Sequence, residues 1–354
     1  MADADSKASN PVDEANPAVA WGFVGTGEVS RYLAPDFAAL PTTRRRAVAS
    51  RSIDRARAFA DEFGFERAYG TVDELLADGT VDAVYVATPH ATHRDIALRA
   101  LEAGKNVLVE KPLGVNEAEA RDIASAARAA GRFAMEAMWM KFTPVYRRLL
   151  DEIRDGTIGT LRSVRASFGF PFPPGSGSRW SAELRGSALL DQGIYPVTLA
   201  YELLGPPDRI VAGGTVRPDG IDLSEHVTFT YDDGRYAQLA ASMVEFIEPT
   251  ASLHGTEGWI HVPWPFWGAS RFEVRRMTAP ETLLSPHTVD MGQEGHGFVP
   301  MIRAVNASIL RGDLEQETHP MSAAIAVFGV LDRIRSLLDQ PPLAQTTYPS
   351  EKHL

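Results

Sequence analysis

From residue 18 to about residue 137 the chain alternates between unbroken aliphatic runs and stretches of helical periodicity. The runs Ala18–Val24, Ala47–Ser50, Val81–Ala87, Val107–Glu110 and Arg132–Met135 predict strands; Ile53–Glu62, Val72–Asp78, His93–Ala103 and Glu117–Ala130 predict helices. Strands without polar alternation, separated by helices, predict a parallel sheet covered on both faces. Gly104 and Gly131 stand where helix C-caps are expected. Beyond about residue 150 the period changes to two. Val164, Ala166, Phe168 and Phe170 alternate with smaller or polar residues, as do Val227, Phe229 and Tyr231, and Asp233-Gly234 adds a two-residue hairpin signal. Strands are also expected around Ile210–Val216, Ala251–His254, Trp259–Val262 and Arg271–Arg276, and helices over Ser187–Leu204, Gly297–Leu310 and Ser322–Leu338. The fold class is α/β: a parallel-sheet domain over 18–137 followed by an α+β domain with an antiparallel sheet over 138–340. The polar start, 1–17, and the proline-containing end, 341–354, read as tails.

A length of 354 residues agrees with two cores. Apolar content of 44% and charge of 23% are those of a globular chain, and no run approaches a membrane span. The start lacks the basic and apolar regions of a signal peptide, and there are no cysteines, which removes disulfides and thiolate chemistry and agrees with a cytoplasmic location. A net charge of −11 argues against a nucleic-acid surface.

The first strand runs into Gly25-Thr26-Gly27-Glu28-Val29-Ser30, a G-x-G-x-x-S loop opening a helix. Gly25 suits the tight turn, and Gly27 lets backbone N–H groups at the helix start approach a pyrophosphate. Pro35 is expected to shorten or kink that helix. The second strand ends in Ser50-Arg51-Ser52, with Arg55 one turn further on and no acid at the tip. An acid there would hold the ribose 2′-hydroxyl of NAD; arginine and hydroxyls suit the 2′-phosphate of NADP, so NADP is expected over NAD. Thr88 and Pro89 end the fourth strand, where contact with the cofactor is expected. His90 and His93 lack a third ligand, so no metal is expected. Val107–Gly114 reads VLVEKPLG. Glu110-Lys111-Pro112 is either a polar strand exit or a lysine held at the mouth of a cleft. Asp191 and Tyr195, four apart, fall on one face of the helix over Ser187–Leu204.

Taken in order, GTGEVS, AVASRSIDRARAFADEFG, ATPHATH, VEKPLG, MEAMW and ALLDQGIYPV resemble the glucose-fructose oxidoreductase/inositol dehydrogenase family. The resemblance is nearest to its NADP-dependent branch of dimeric dihydrodiol and D-xylose dehydrogenases, and it covers residues 18–340. It implies a Rossmann domain, an open and mostly antiparallel second sheet, and a homodimer or homotetramer formed through that sheet. It also implies that Lys111 is catalytic, that Tyr195 is the acid/base and that His93 lies near the nicotinamide half; Asp191 is expected to orient the substrate hydroxyls or the lysine. Glu110, with Lys111, joins the expected cofactor-binding set.

Oxidising a CH–OH group needs a base for the hydroxyl proton, and an ammonium such as Lys111 is expected to lower the tyrosine pKa. Trp139, Phe168, Arg179, Trp180 and Phe298 are candidate contacts for a sugar, cyclic polyol or diol. Reduction of a keto-sugar, or a non-catalytic NADP-binding sensor, are the alternatives. Tyr348–Lys352 fits Y-x-x-x-K formally but lies in the tail and is set aside.

Overall fold

A computed structural model describes residues 17–175 and 177–338. The two tails, with Pro341, Pro342 and the Tyr348–Lys352 motif, lie outside the described residues.

Six strands, β1 (Val19–Val24), β2 (Thr43–Ala49), β3 (Arg67–Tyr69), β4 (Ala83–Val86), β5 (Asn106–Val109) and β6 (Ala134–Glu136), form a wholly parallel sheet in the order β3-β2-β1-β4-β5-β6. The helices α1 (Glu28–Ala38), α2 (Ile53–Phe63), α3 (Val72–Leu76), α4 (His93–Glu102) and α5 (Glu117–Ala130) lie between them. Every residue of β1 and of β4 is buried, which explains the absence of polar alternation. Gly131 adopts the expected left-handed cap, Gly104 takes φ 74° one residue past the α4 cap at Ala103, and Asn116 accepts the Glu119 N–H at 2.9 Å. Strand order reverses between β1 and β4, the switch point where ligands of such sheets bind.

Pro35 does not shorten α1, which continues to Ala38. Leu33, Ala34 and Phe37 are anchored in the core, and their burial outweighs the one backbone bond that proline forfeits.

The second sheet has eight strands: β7 (Leu161–Gly169), β8 (Arg209–Val216), β9 (Asp222–Thr230), β10 (Tyr236–Ser242), β11 (Ala251–Gly255), β12 (Gly258–Val262), β13 (Arg271–Arg276) and β14 (His287–Asp290). Their order is β14-β13-β12-β11-β7-β10-β9-β8, antiparallel except for β7 beside β10. The β9–β10 hairpin closes over Asp232–Gly234 rather than two residues, because Tyr231 N–H donates to Arg235 O and Gly234 takes φ 82°. The remaining helices are α6 (Pro144–Arg154), α7 (Ile194–Leu204), α8 (Glu281–Leu284), α9 (Val299–Arg311) and α10 (Met321–Leu338).

The last two long helices tie the halves together. Helix α9 returns to the first sheet, where Asn306 Oδ1 accepts the buried Trp21 indole N–H at 2.9 Å and Asn306 Nδ2 donates to Thr42 and Thr43. Helix α10 packs on α5 and β6 of the first half and on α7 and β8 of the second. Among the described residues no helix is long and apolar enough to cross a membrane.

Candidate active site

At the switch point lies a cavity of about 560 Å³. Of the residues expected to hold a dinucleotide, Gly25, Thr26, Gly27, Ser50, Arg51, Arg55, Thr88 and Pro89 line it. Gly25 has φ 111°, and a Cβ there would fall 2.2 Å from Ala87 O, so only glycine closes this turn. At Gly27 a Cβ would meet nothing within 4 Å; its bare backbone faces open space at the helix start, as a closely approaching pyrophosphate requires. Arg51 and Arg55 form no ion pair among the described residues, leaving two cations at the β2 tip without an acid. Glu28 and Val29 belong to the first turn of α1, and Ser52 caps α2 by accepting the Arg55 N–H; none of the three is in the cavity wall.

Past the end of β5, Glu110 turns inward. Its Oε1 accepts the Tyr85 hydroxyl at 2.5 Å and its Oε2 the backbone N–H of Lys111 at 3.1 Å. Burial raises its pKa to about 7 against the pull of Tyr85 and Lys111. The carboxyl therefore braces Lys111 from below and lies outside the cavity wall. The Lys111–Pro112 bond is cis. His93 is buried, with both ring nitrogens 2.7 Å from carbonyl oxygens, Nδ1 at Pro112 and Nε2 at Thr88. One imidazole thus spans from the cofactor cavity to the lysine turn.

Lys111 crosses to the second half of the chain. Its Nζ donates to Asp191 O at 2.6 Å and to Asp191 Oδ1 at 2.8 Å, and lies 4.9 Å from the Tyr195 ring centroid. The segment that supplies Asp191 is a π-turn over Leu189–Gly193 leading into α7, instead of plain α-helix. At π spacing the donor for the Asp191 carbonyl would be residue 196, a proline with no N–H, and Lys111 donates to that carbonyl instead. The second carboxylate oxygen, Oδ2, accepts Arg179 Nε. Burial works against both charges. Asp191 and Tyr195 nonetheless hold Lys111 well above its ordinary pKa, while Lys111 and Arg179 hold Asp191 well below the usual carboxylate range.

For Tyr195 the balance differs from the expectation of a lowered pKa. Burial dominates and pushes the phenol up to about 12, with Lys111 pulling downward but losing. The Trp139 indole N–H donates to the phenol oxygen at 3.1 Å. Phe298 packs on Trp139 at 4.6 Å between centroids; Phe168 stacks on Trp267 at 3.6 Å, and Trp267 stacks on Tyr195 at 5.6 Å. Trp180 packs instead in a small cluster with Ala188, Ile221 and Met243.

These motifs and this topology match known families over most of the chain. The family model described as an oxidoreductase family with an NAD-binding Rossmann fold matches residues 19–138, and the GFO/IDH/MocA C-terminal domain matches residues 146–261. The chain belongs to the GFO/IDH/MocA oxidoreductase family. It is similar to the trans-1,2-dihydrobenzene-1,2-diol dehydrogenase of Xenopus laevis, 33% identical with 89% of this chain and 96% of the relative covered. The Mus musculus enzyme of the same name is 37% identical over 68% of this chain and 73% of its own length. Among solved structures, a 3-ketoreductase from Actinomadura kijaniata in complex with NADP and TDP-benzene is 29% identical, with TM-score 0.82 and coverage of 91% and 98%.

Against this family frame, sequence reasoning missed three things. Trp267 follows no motif; it sits in the proline-flanked run PWPFWG and reaches Tyr195 only through the fold. Leu184 comes from the second half of the chain yet lines the cofactor cavity. Tyr85, under Glu110, reads as an ordinary strand residue. Among the described residues no group of three or more His, Cys, Asp or Glu is placed to hold a metal.

Proposed function

We propose that this family member is an NADP-dependent oxidoreductase that transfers hydride between nicotinamide and a CH–OH group of a sugar, cyclic polyol or trans-diol, with Tyr195 as acid/base. The observation that carries the reading is the convergence of Lys111, from the Rossmann sheet, with Tyr195 and Asp191, from α7 and its leading turn. Arg51 and Arg55 at the β2 tip, without an ion pair among the described residues, support NADP over NAD, as does the NADP bound by the similar 3-ketoreductase. The relatives' names supply the trans-diol class and ketone reduction.

NADP, when bound, supplies or accepts the hydride at nicotinamide C4. In oxidation the substrate hydroxyl loses its proton to the Tyr195 phenolate; in reduction the phenol returns it to the carbonyl oxygen. Lys111 keeps its charge because Asp191 holds it, and an ammonium beside the phenol favours the phenolate. Arg179 shares the Asp191 carboxylate, so the lysine is not fully neutralised by it. Phe168, Trp267 and Trp139 surround Tyr195 with apolar rings, against whose edges a ring substrate would pack. Burial keeps Tyr195 protonated at neutral pH, the state from which keto-sugar reduction, the second reading, starts.

A panel of aldoses, inositols, anhydrosugars, cyclic trans-diols and keto-sugars, followed by NADPH absorbance in both directions, tests the reading. Turnover of one of these classes supports it; NADP binding without turnover on the panel points to a sensor. For assembly we propose a homodimer or homotetramer through the uncovered face of the second sheet, where Arg165, Ser167, Gln238 and Ser252 edge a shallow hollow of about 340 Å³. Light scattering of the purified chain tests it.

A further inference from the structure

We propose that Trp139 is a positioning residue acting through Tyr195: its indole N–H occupies one lone pair of the phenol oxygen, turns the hydroxyl hydrogen toward the substrate side and stabilises the phenolate. The proposal rests on the reading of Tyr195 as the acid/base. An indole nitrogen only donates, so the direction of the 3.1 Å Nε1–Oη bond is unambiguous. Both side chains are buried, Trp139 at 8% and Tyr195 at 4% exposure, so water does not compete on equal terms.

The ring is held for this contact from two directions. A Cβ on Gly268 would fall 2.7 Å from Trp139 Cη2, and a Cβ on Gly297 would fall 2.9 Å from Cζ3. Gly268 lies in the loop after β12, and Gly297 leads into α9 with φ 101°. Phe298 covers the ring at 4.6 Å. Two glycines from different parts of the chain thus clear the space the indole fills, and a bulkier residue at either would shift its N–H.

The charged and titratable groups acting on Tyr195 are Lys111, Glu110, Asp191 and Tyr85. Of these, Lys111 alone favours the phenolate. Trp139 is the second group pulling that way, against burial and the two carboxyls. A hydrogen bond to a charged acceptor, stronger than one to a neutral group, corresponds to about 10- to 100-fold in the phenol–phenolate equilibrium, or about 1–2 pH units.

The test places 3,5-difluorotyrosine at position 195, which acidifies the phenol, and follows its ¹⁹F titration in the full chain. Trp139→Phe keeps an aromatic ring and removes the N–H; the midpoint is expected to rise by about 1–2 units. Gly268→Ala, which pushes the indole off its contact, is expected to move it the same way and serves if Trp139→Phe does not fold. An unmoved midpoint in either folded variant overturns the proposal, since a purely structural wall would change KM or stability and leave the titration alone. Turnover of Tyr195→Phe, run alongside, separates the two claims. An inactive Tyr195→Phe with an unmoved midpoint removes only the role of Trp139, whereas an active Tyr195→Phe removes the acid/base reading and this proposal with it.

Discussion

Lys111 and Asp191 are joined twice, once through the carboxylate at 2.8 Å and once through the backbone carbonyl at 2.6 Å, although 80 residues separate them. The carboxylate also carries Arg179. Removing Asp191 would leave two cations without their partner; removing Lys111 would leave Asp191 still paired. Asp191→Ala is therefore expected to destabilise the fold more than Lys111→Ala, by an amount approaching the roughly 3–5 kcal/mol of a broken buried pair. Urea unfolding of both variants checks the order, and equal losses would contradict it. Because the Asp191 pKa is depressed, its share of stability is present above the ordinary carboxylate range and is lost as pH falls toward the folded value.

Burial pushes the Tyr195 phenol up to about 12, against the pull of Lys111. Oxidation needs the phenolate, so its kcat/KM is expected to climb with pH from 7 to 10 without reaching a plateau. Reduction needs the phenol, which stays protonated over that window, and its kcat/KM is expected to vary little there. A plateau in oxidation below pH 8 would show that burial does not dominate this phenol.

At the β2 tip, Arg51 has no acidic partner among the described residues and faces the cofactor cavity. Arg51→Ala is expected to reduce the ratio of kcat/KM for NADP over NAD by about 10- to 150-fold, the worth of a charge-assisted contact of roughly 1.5–3 kcal/mol. Equal use of both cofactors by the unaltered protein would end the assignment.

Much of this site was readable because its chemistry depends on local backbone. GTGEVS needs a bare turn at Gly25, whereas the role of Pro196, whose missing N–H leaves a carbonyl for Lys111, is not legible in D-Q-G-I-Y-P and shows only with the π-turn in place. Strand β3 is three residues long, β10 reads YAQLAAS with little β-branching, and β14 is four mostly exposed residues. Each escapes a period-two reading for lack of length or of large apolar side chains. Glu110 is expected among the cofactor-binding residues, yet it faces Tyr85, because a strand exit fixes neither which way the next side chain turns nor what lies beneath it. The rise in the Tyr195 pKa was hidden for a related reason: the sequence names the ammonium that lowers it and says nothing of the burial that raises it.

Asn306 joins α9 to the first sheet by accepting from Trp21 and donating to Thr42 and Thr43. Asn306→Ala leaves the buried indole N–H unsatisfied and is expected to cost about 1–3 kcal/mol. A thermal midpoint unchanged from that of the parent would show that this link carries no stability.

The convergence of Lys111 and Tyr195 is tested most directly by single-turnover kinetics of Tyr195→Phe with prebound NADP and a substrate of the active class. Cofactor affinity measured by fluorescence titration should stay within a few-fold, while the hydride-transfer rate should fall at least a hundredfold, the lower range of general acid–base contributions. A rate within a few-fold of the parent, with NADP bound normally, would contradict the assignment of the transferred proton to this phenol.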